Sequence, residues 1–198
     1  MPGAVWDIKI HLCPESSTCN ALMPYRPGMG PPLVLLDVDG VLNPFQGPRA
    51  GGETGYRRHR CSPEGITYQL WLNAGHGRLL LDLVEEAGAE LAWASYWCAH
   101  ANEWIAPRVG LPELPFVPIP RFPGRGEGVT LGAWKARHVA LWTEGRPFVW
   151  FEDEPDATAC VAAEPGIGEH LLVAIDPDVG LTRDHLDLAR EWLLGLDR

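Results

Sequence analysis

Leu33-Val34-Leu35-Leu36-Asp37-Val38-Asp39-Gly40-Val41-Leu42-Asn43 is the stretch on which the fold of this chain turns. Four consecutive apolar residues, Leu33 to Leu36, suit a short strand buried on both faces, as strands of parallel sheets are. Two carboxylates and a glycine follow at once. A buried run cannot continue through them, so the strand ends there, and Asp39-Gly40 is by itself an ordinary turn sequence. The carboxyl end of this strand carries charge where the strand body carries none.

Before Leu33, residues 1–32 hold Pro2, Pro14, Pro24, Pro27, Pro31 and Pro32 with several glycines, and only Val5 to Leu12 has strand character. We read 1–32 as a loosely ordered leader, with Met23 or Met29 as alternative starts, and 33–198 as the folded domain. After the opening motif comes a Gly-, Arg- and Tyr-rich insert, about 43–76, in which Thr67 to Leu72 alternates like a strand. A small hairpin-like flap over the strand ends is expected.

Strand and helix then alternate. Leu80, Leu83, Val84 and Ala87 recur at helical spacing until Gly88, and Leu91 to Ala94 form a second buried run. Trp97, Ala101, Trp104 and Ile105 stripe a helix that Pro107 and Gly110 close. Phe116 to Ile119 is a strand candidate among prolines, and Leu131, Trp134, His138, Leu141 and Trp142 stripe another helix. Phe148 to Phe151, a short helix near 156–163 and Leu171 to Ile175 continue the pattern. Thr182 opens a last helix with His185, Leu188, Ala189 and Trp192 on one face. The expected fold is α/β, a Rossmann-like three-layer sandwich whose mostly parallel central sheet has about five strands.

With 198 residues, 46% of them hydrophobic and 21% charged, the chain can bury a core, which excludes disorder or a fibre as its main state. No apolar run approaches the roughly 20 residues of a membrane span, and no secretory pattern opens the chain, so a cytoplasmic protein without membrane contact is expected. A net charge of -10 opposes indiscriminate attraction to nucleic acid. Five cysteines without CxxC or CxxH spacing read as idle thiols. Only Lys9 and Lys135 among the 16 basic residues are lysine, so a lysine kept within the domain suggests a site that wants a compact point charge.

In such sheets ligands bind beyond the carboxyl ends of the strands. Asp37 and Asp39 end the first strand, Ser95 the second and Glu152-Asp153 the fourth, while Lys135 lies near the start of the helix before the fourth. Two carboxylates about 4 Å apart repel by roughly 4 kcal/mol at an effective dielectric near 20. Three or four together call for a hard divalent cation with oxygen ligands, and Mg²⁺ suits a few carboxylates that leave room for water and phosphate.

Taken in order, Leu-Leu-Asp37-Val-Asp39-Gly40-Val-Leu-Asn43, Ser95, Lys135 and Glu152-Asp153 resemble the motifs of the haloacid dehalogenase-like (HAD) superfamily, over roughly Leu33 to the C-terminus. The resemblance implies that Asp37 is a nucleophile forming an aspartyl-phosphate and Asp39 the general acid and base. Ser95 would bind a phosphoryl oxygen, and Lys135 would neutralise charge on the nucleophile and the transferring group. Asp37, the main-chain carbonyl of Asp39 and Asp153 would hold Mg²⁺. Glu152 would stand beside Asp153 as a ligand through water; it replaces the commoner aspartate, which leaves open which acid of the pair touches the metal. Dehalogenating members lack the second Asp, so phosphate chemistry is favoured. The small insert implies a capless or minimally capped member. The DVDGVLN start and the Trp-Ala-Ser strand end are also similar to a bacterial branch associated with RNA repair.

Each residue has a plainer reading. Ser95 can simply cap the next helix, Lys135 can be a solvated cation, and Glu152-Asp153-Glu154 an acidic turn. His138 and His185 read as core histidines, and Asp176 with Asp178 as a turn. Arg57 and Arg58, with His59 and Arg60, are candidates to grip substrate from the flap. Arg121 and Arg125, in a Pro/Gly loop, and Trp97, two residues past Ser95, are further substrate candidates. The leading functional expectation is a Mg²⁺-dependent phosphomonoester hydrolase acting on a phosphorylated substrate. Phosphatase or phosphotransferase action at nucleic-acid ends is the first alternative, and a non-catalytic module binding phosphate or protein the second.

Overall fold

The computed structural model describes residues 30–47, 54–124 and 128–196. The leader segment Val5 to Leu12 and Arg125 fall outside them. Four parallel strands form the central sheet in the order β4-β1-β5-β6: β1 (Leu33–Leu36), β4 (Glu90–Trp93), β5 (Phe148–Glu152) and β6 (His170–Ala174). β1 lies between β4 and β5, pairing Leu36 with Trp93 on one side and with Phe151 on the other. The chain leaves β1 for β4, then crosses back to β5, and this reversal of direction opens the crevice at the end of β1.

Both faces of the sheet are covered, which is why the strands read as unbroken apolar runs. Val34, Leu36, Val149 and Phe151 point into one core with α1 (His76–Ala87) and α6 (Arg183–Leu194). Leu33, Leu35, Phe148 and Trp150 point into the other, against α4 (Leu131–Thr143) and α5 (Ala157–Ala162). The α4–α5 contact is close: a Cβ at Gly132 would collide with the Asp156 carboxylate and lie 3.0 Å from the Ala157 amide. Thr130 caps α4 by accepting the Ala133 N–H and also bonds Asp156.

The insert is an antiparallel hairpin, β2 (Tyr56–Cys61) with β3 (Tyr68–Asn73). Tyr68, Leu70 and Leu72 are buried in the first core beside Val41, Leu42 and Trp97, so the hairpin is a fixed wall.

Sequence and structure part at four places. Phe116 to Ile119 forms only a bridge to Trp93 at the edge of β4, and Pro118, lacking an N–H, cannot extend it, so four strands build the sheet instead of about five. The helix expected from Trp97 divides into α2 (His100–Trp104) and α3 (Ala106–Val109), because Pro107 falls in the first turn of α3, where its missing N–H costs nothing. In α4 the buried residues are Gly132, Lys135, Ala136, Val139, Ala140 and Thr143, whereas Leu141 is 69% exposed and His138 only half-buried. In α6 the buried residues are Leu186, Ala189 and Leu193. Leu188 faces solvent, and His185 serves the helix start by accepting the Thr182 N–H at 3.1 Å.

Candidate active site

The site grows from the end of β1. The backbone ladder continues through Asp37, whose N–H bonds Phe151 O at 3.2 Å, and then turns at Gly40, which adopts φ +77°. A side chain at Gly40 would strike the Asp153 carboxylate, so the glycine supplies both the left-handed turn and the space in which the ends of β1 and β5 meet.

Asp37 is nearly fully buried, with Oδ1 accepting the Val38 N–H at 2.7 Å and Oδ2 accepting from Lys135 Nζ at 2.6 Å. Lys135 has no exposed surface. Its ammonium also pairs with Glu152 Oε2 and stands 5.9 and 5.8 Å from the ring centres of Tyr96 and Trp150. A lone ammonium in such a place would be strongly disfavoured, and two flanking carboxylates make it tolerable. Glu152, equally buried, accepts the Asp153 and Glu154 N–H groups on its other oxygen, each at 3.1 Å. Both of its oxygens are thus turned toward protein donors.

Asp39 is held differently. Asn43 Nδ2 donates to Oδ1 and Trp97 Nε1 to Oδ2, each at 2.9 Å. Tyr68, on β3, has its phenol pushed above the ordinary value by burial first, then by the charges of Asp39 and Glu64. Ser95 lies two residues past Trp93, which pairs with Leu36, so it follows β4 where Asp37 follows β1. Its Oγ accepts the Trp97 N–H at 3.4 Å. The next helix starts only at His100, so Ser95 is not its cap.

Asp37, Glu152 and Asp153 each offer a carboxylate oxygen, and the three atoms lie within 4.8 Å of one another. One small ion could be shared by oxygens that close, given metal–oxygen bonds of about 2.0–2.6 Å. Three acidic side chains, Asp37, Glu152 and Asp153, thus stand together, and among the described residues one ammonium, that of Lys135, pairs with two of them. That excess of negative charge is the condition under which a divalent cation is stabilising.

Of the residues singled out in the sequence, Asp37, Lys135, Glu152 and Asp153 come together beyond β1 and β5, while Asp39 lies in the loop after β1 and Ser95 just past β4. The substrate candidates do not behave alike. Arg57 and Arg58 are exposed on β2, with Arg58 5.9 Å from the Trp71 ring centre. His59 is pushed below its ordinary value by burial, then by the Arg108 and Arg57 charges, which leaves the cationic character of that strand to its arginines. Arg121 is exposed. Trp97 corrects its expectation as a substrate contact: at 1% exposure it has no face to offer, because its ring fills the core and its N–H serves Asp39. Asn43 was missed as a site residue, although it stands four residues after Asp39 in a tight loop, a spacing that lets an amide reach back to a carboxylate.

Residues 33–186 match the family model described as the HAD domain in Swiss Army Knife RNA repair proteins. No curated protein and no solved structure gives a significant match to the chain. The matched span contains the whole sheet, the hairpin and every strand-end residue described above, and its family is one of hydrolase, phosphatase-type domains. The chain belongs to the HAD family of Swiss Army Knife RNA repair proteins.

Proposed function

We propose that this chain is a Mg²⁺-dependent phosphomonoester hydrolase that works through an aspartyl-phosphate on Asp37. The observation that carries the reading is the buried Asp37–Lys135–Glu152 chain with Asp153 close by, a costly cluster that phosphoryl transfer would use in full.

Asp37 and Asp153, with the main-chain carbonyl of Asp39, would hold Mg²⁺. Glu152 stands behind them, because its oxygens are already engaged by Lys135 and two amides. When bound, the ion supplies positive charge to the phosphoryl oxygens and fixes their orientation. Lys135 holds Asp37 Oδ2, which leaves the carboxylate aimed, and it shares the charge of the transferring group. An Asp37 oxygen attacks phosphorus and the bond from phosphorus to the leaving oxygen breaks. Asp39 gives its proton to that oxygen, which departs as an alcohol. Ser95 donates a hydrogen bond to a phosphoryl oxygen. Asp39, now a carboxylate, takes a proton from water as the water oxygen attacks phosphorus. The acyl-phosphate bond breaks, inorganic phosphate is released and Asp37 returns to a carboxylate.

The test is hydrolysis of p-nitrophenyl phosphate with added Mg²⁺, with EDTA, and by Asp37→Asn. Activity lost in the latter two is expected, and equal rates in variant and wild type would remove Asp37 as nucleophile.

A second reading, in which the phosphate sits at a nucleic-acid end, is favoured by the description of the family and by the exposed Arg57, Arg58 and Arg60 along β2. Arg121 and Arg125 are proposed as further contacts to the same substrate. Labelled 5′- and 3′-phosphorylated oligonucleotides compared with nucleotides and sugar phosphates decide between the two. A preference for oligonucleotides that Arg57→Ala and Arg58→Ala erase is the expected outcome of this second reading.

A further inference from the structure

Resting on the reading of Asp39 as the group that protonates the leaving oxygen, we propose that Trp97 and Asn43 are positioning residues that fix the Asp39 carboxylate, and that the β2–β3 hairpin anchors both of them. A carboxylate on a loop can rotate about its last bond, and one hydrogen bond does not prevent that. Two donors, one on each oxygen, do: Asn43 Nδ2 on Oδ1 and Trp97 Nε1 on Oδ2.

Each donor is in turn held by β3. Asn43 Oδ1 accepts the Trp71 N–H at 2.8 Å, so the same amide joins the hairpin backbone to the carboxylate. The Trp97 indole meets the Tyr68 ring edge-on, with centres 5.5 Å apart and planes at 61°. Phenylalanine would serve the apolar part of the Trp97 slot. An indole buried to this degree needs a partner for its N–H, and that partner is Asp39. The hairpin, too short to enclose a substrate as a cap domain would, thereby acts on the reaction from behind, through the aim of one carboxyl group. Misplacing a reacting group by about 1 Å can cost on the order of 100-fold in rate.

The experiment compares kcat/KM for phenyl phosphate and 2,4-dinitrophenyl phosphate, since kcat/KM reports the step that forms the phosphoenzyme. Phenolate is a basic leaving group that needs a proton, whereas dinitrophenolate departs without one. Trp97→Phe is expected to lower kcat/KM for phenyl phosphate by about 30-fold and for the dinitrophenyl ester by less than about 3-fold. Asn43→Ala is expected to give the same split, and it carries the test should Trp97→Phe not fold. Equal losses on both esters, or none on either, overturn the positioning role while Asp37-dependent hydrolysis in the wild type leaves the proposed function standing. Absence of Asp37-dependent hydrolysis in the wild type overturns both.

Discussion

Helices α1 and α4 cover opposite faces of one sheet, and each buries a basic side chain, but they do so on opposite terms. His76 begins α1 with its ring edge-on to Tyr56, and its Nδ1 has no hydrogen-bond partner among the described residues. Burial pushes its pKa down to about 4, and it enters the core uncharged. Lys135 enters the core of α4 between Asp37 and Glu152. A buried base without a counter-charge gives up its proton, whereas one between carboxylates has every reason to keep it. The first is packing; the second marks chemistry.

Removing the lysine should break the contrast most severely. Lys135→Met leaves Asp37 and Glu152 buried without their cation, and unfolding free energy is expected to fall by about 3–5 kcal/mol in urea titrations. Hydrolysis should fall on the order of 100- to 1,000-fold even where the variant is folded. Adding Glu152→Gln should recover part of the stability and none of the rate. If Lys135→Met alone were as stable as wild type, the two helices would be equivalent after all.

Leu83→Ala in α1 tests the other side. Leu83 is fully buried, and its truncation should cost about 2–5 kcal/mol. Activity per folded molecule should be retained, as expected of a helix whose buried face carries packing alone. A drop in kcat with unchanged stability would contradict that.

His76 gives the comparison a pH dependence. Its folded pKa of about 4 lies below the ordinary 6.5, so its contribution is complete above pH 6.5 and is lost as pH falls toward 4, by about 3 kcal/mol in all. Stability measured from pH 7 to 4 should show this decline, and His76→Gln should flatten it. The smallest effect belongs to Leu141 on the outer side of α4: Leu141→Lys should change stability by less than about 0.5 kcal/mol.

The same contrast shows what could be read before folding. In α1 the apolar spacing matches burial, because Leu80, Leu83 and Ala87 meet the core and Gly88, at φ +58°, ends the helix. In α4 the stripe Leu131, Trp134, His138, Leu141 and Trp142 is not the most buried face: Leu141 faces solvent, and Leu131, Trp134 and Trp142 pack only partly buried against the core. Lys135 has to reach Asp37, and its reach rotates the helix to bury Ala136, Val139 and Ala140 in place of larger residues. Hydrophobic spacing fails where a charge is needed inside, so the failure itself points to the site. Strand ends were legible in combination: a lone Asp-Gly is a turn, but carboxylates after two buried runs that are to share one sheet edge are costly without a cation. The β4 edge was not, since Pro115, Pro118 and Pro120 permit one bridge but no ladder, and spacing alone does not count missing N–H groups. The bracket around Asp39 was hidden for another reason: Trp97 is distant from it in sequence, and it is the pairing of β1 with β4 that brings the residues after each strand into contact.

Gly132 carries a consequence of its own. Its bare backbone lets α4 settle against Asp156 and Ala157, one turn before the lysine. A lysine stem is four carbons long and cannot lengthen to follow a helix that is lifted away. A single methyl at that point would act as a wedge, drawing the ammonium back from two strands at once. The depth to which the positive charge is delivered is thus governed by a residue with no functional group, through what it leaves out.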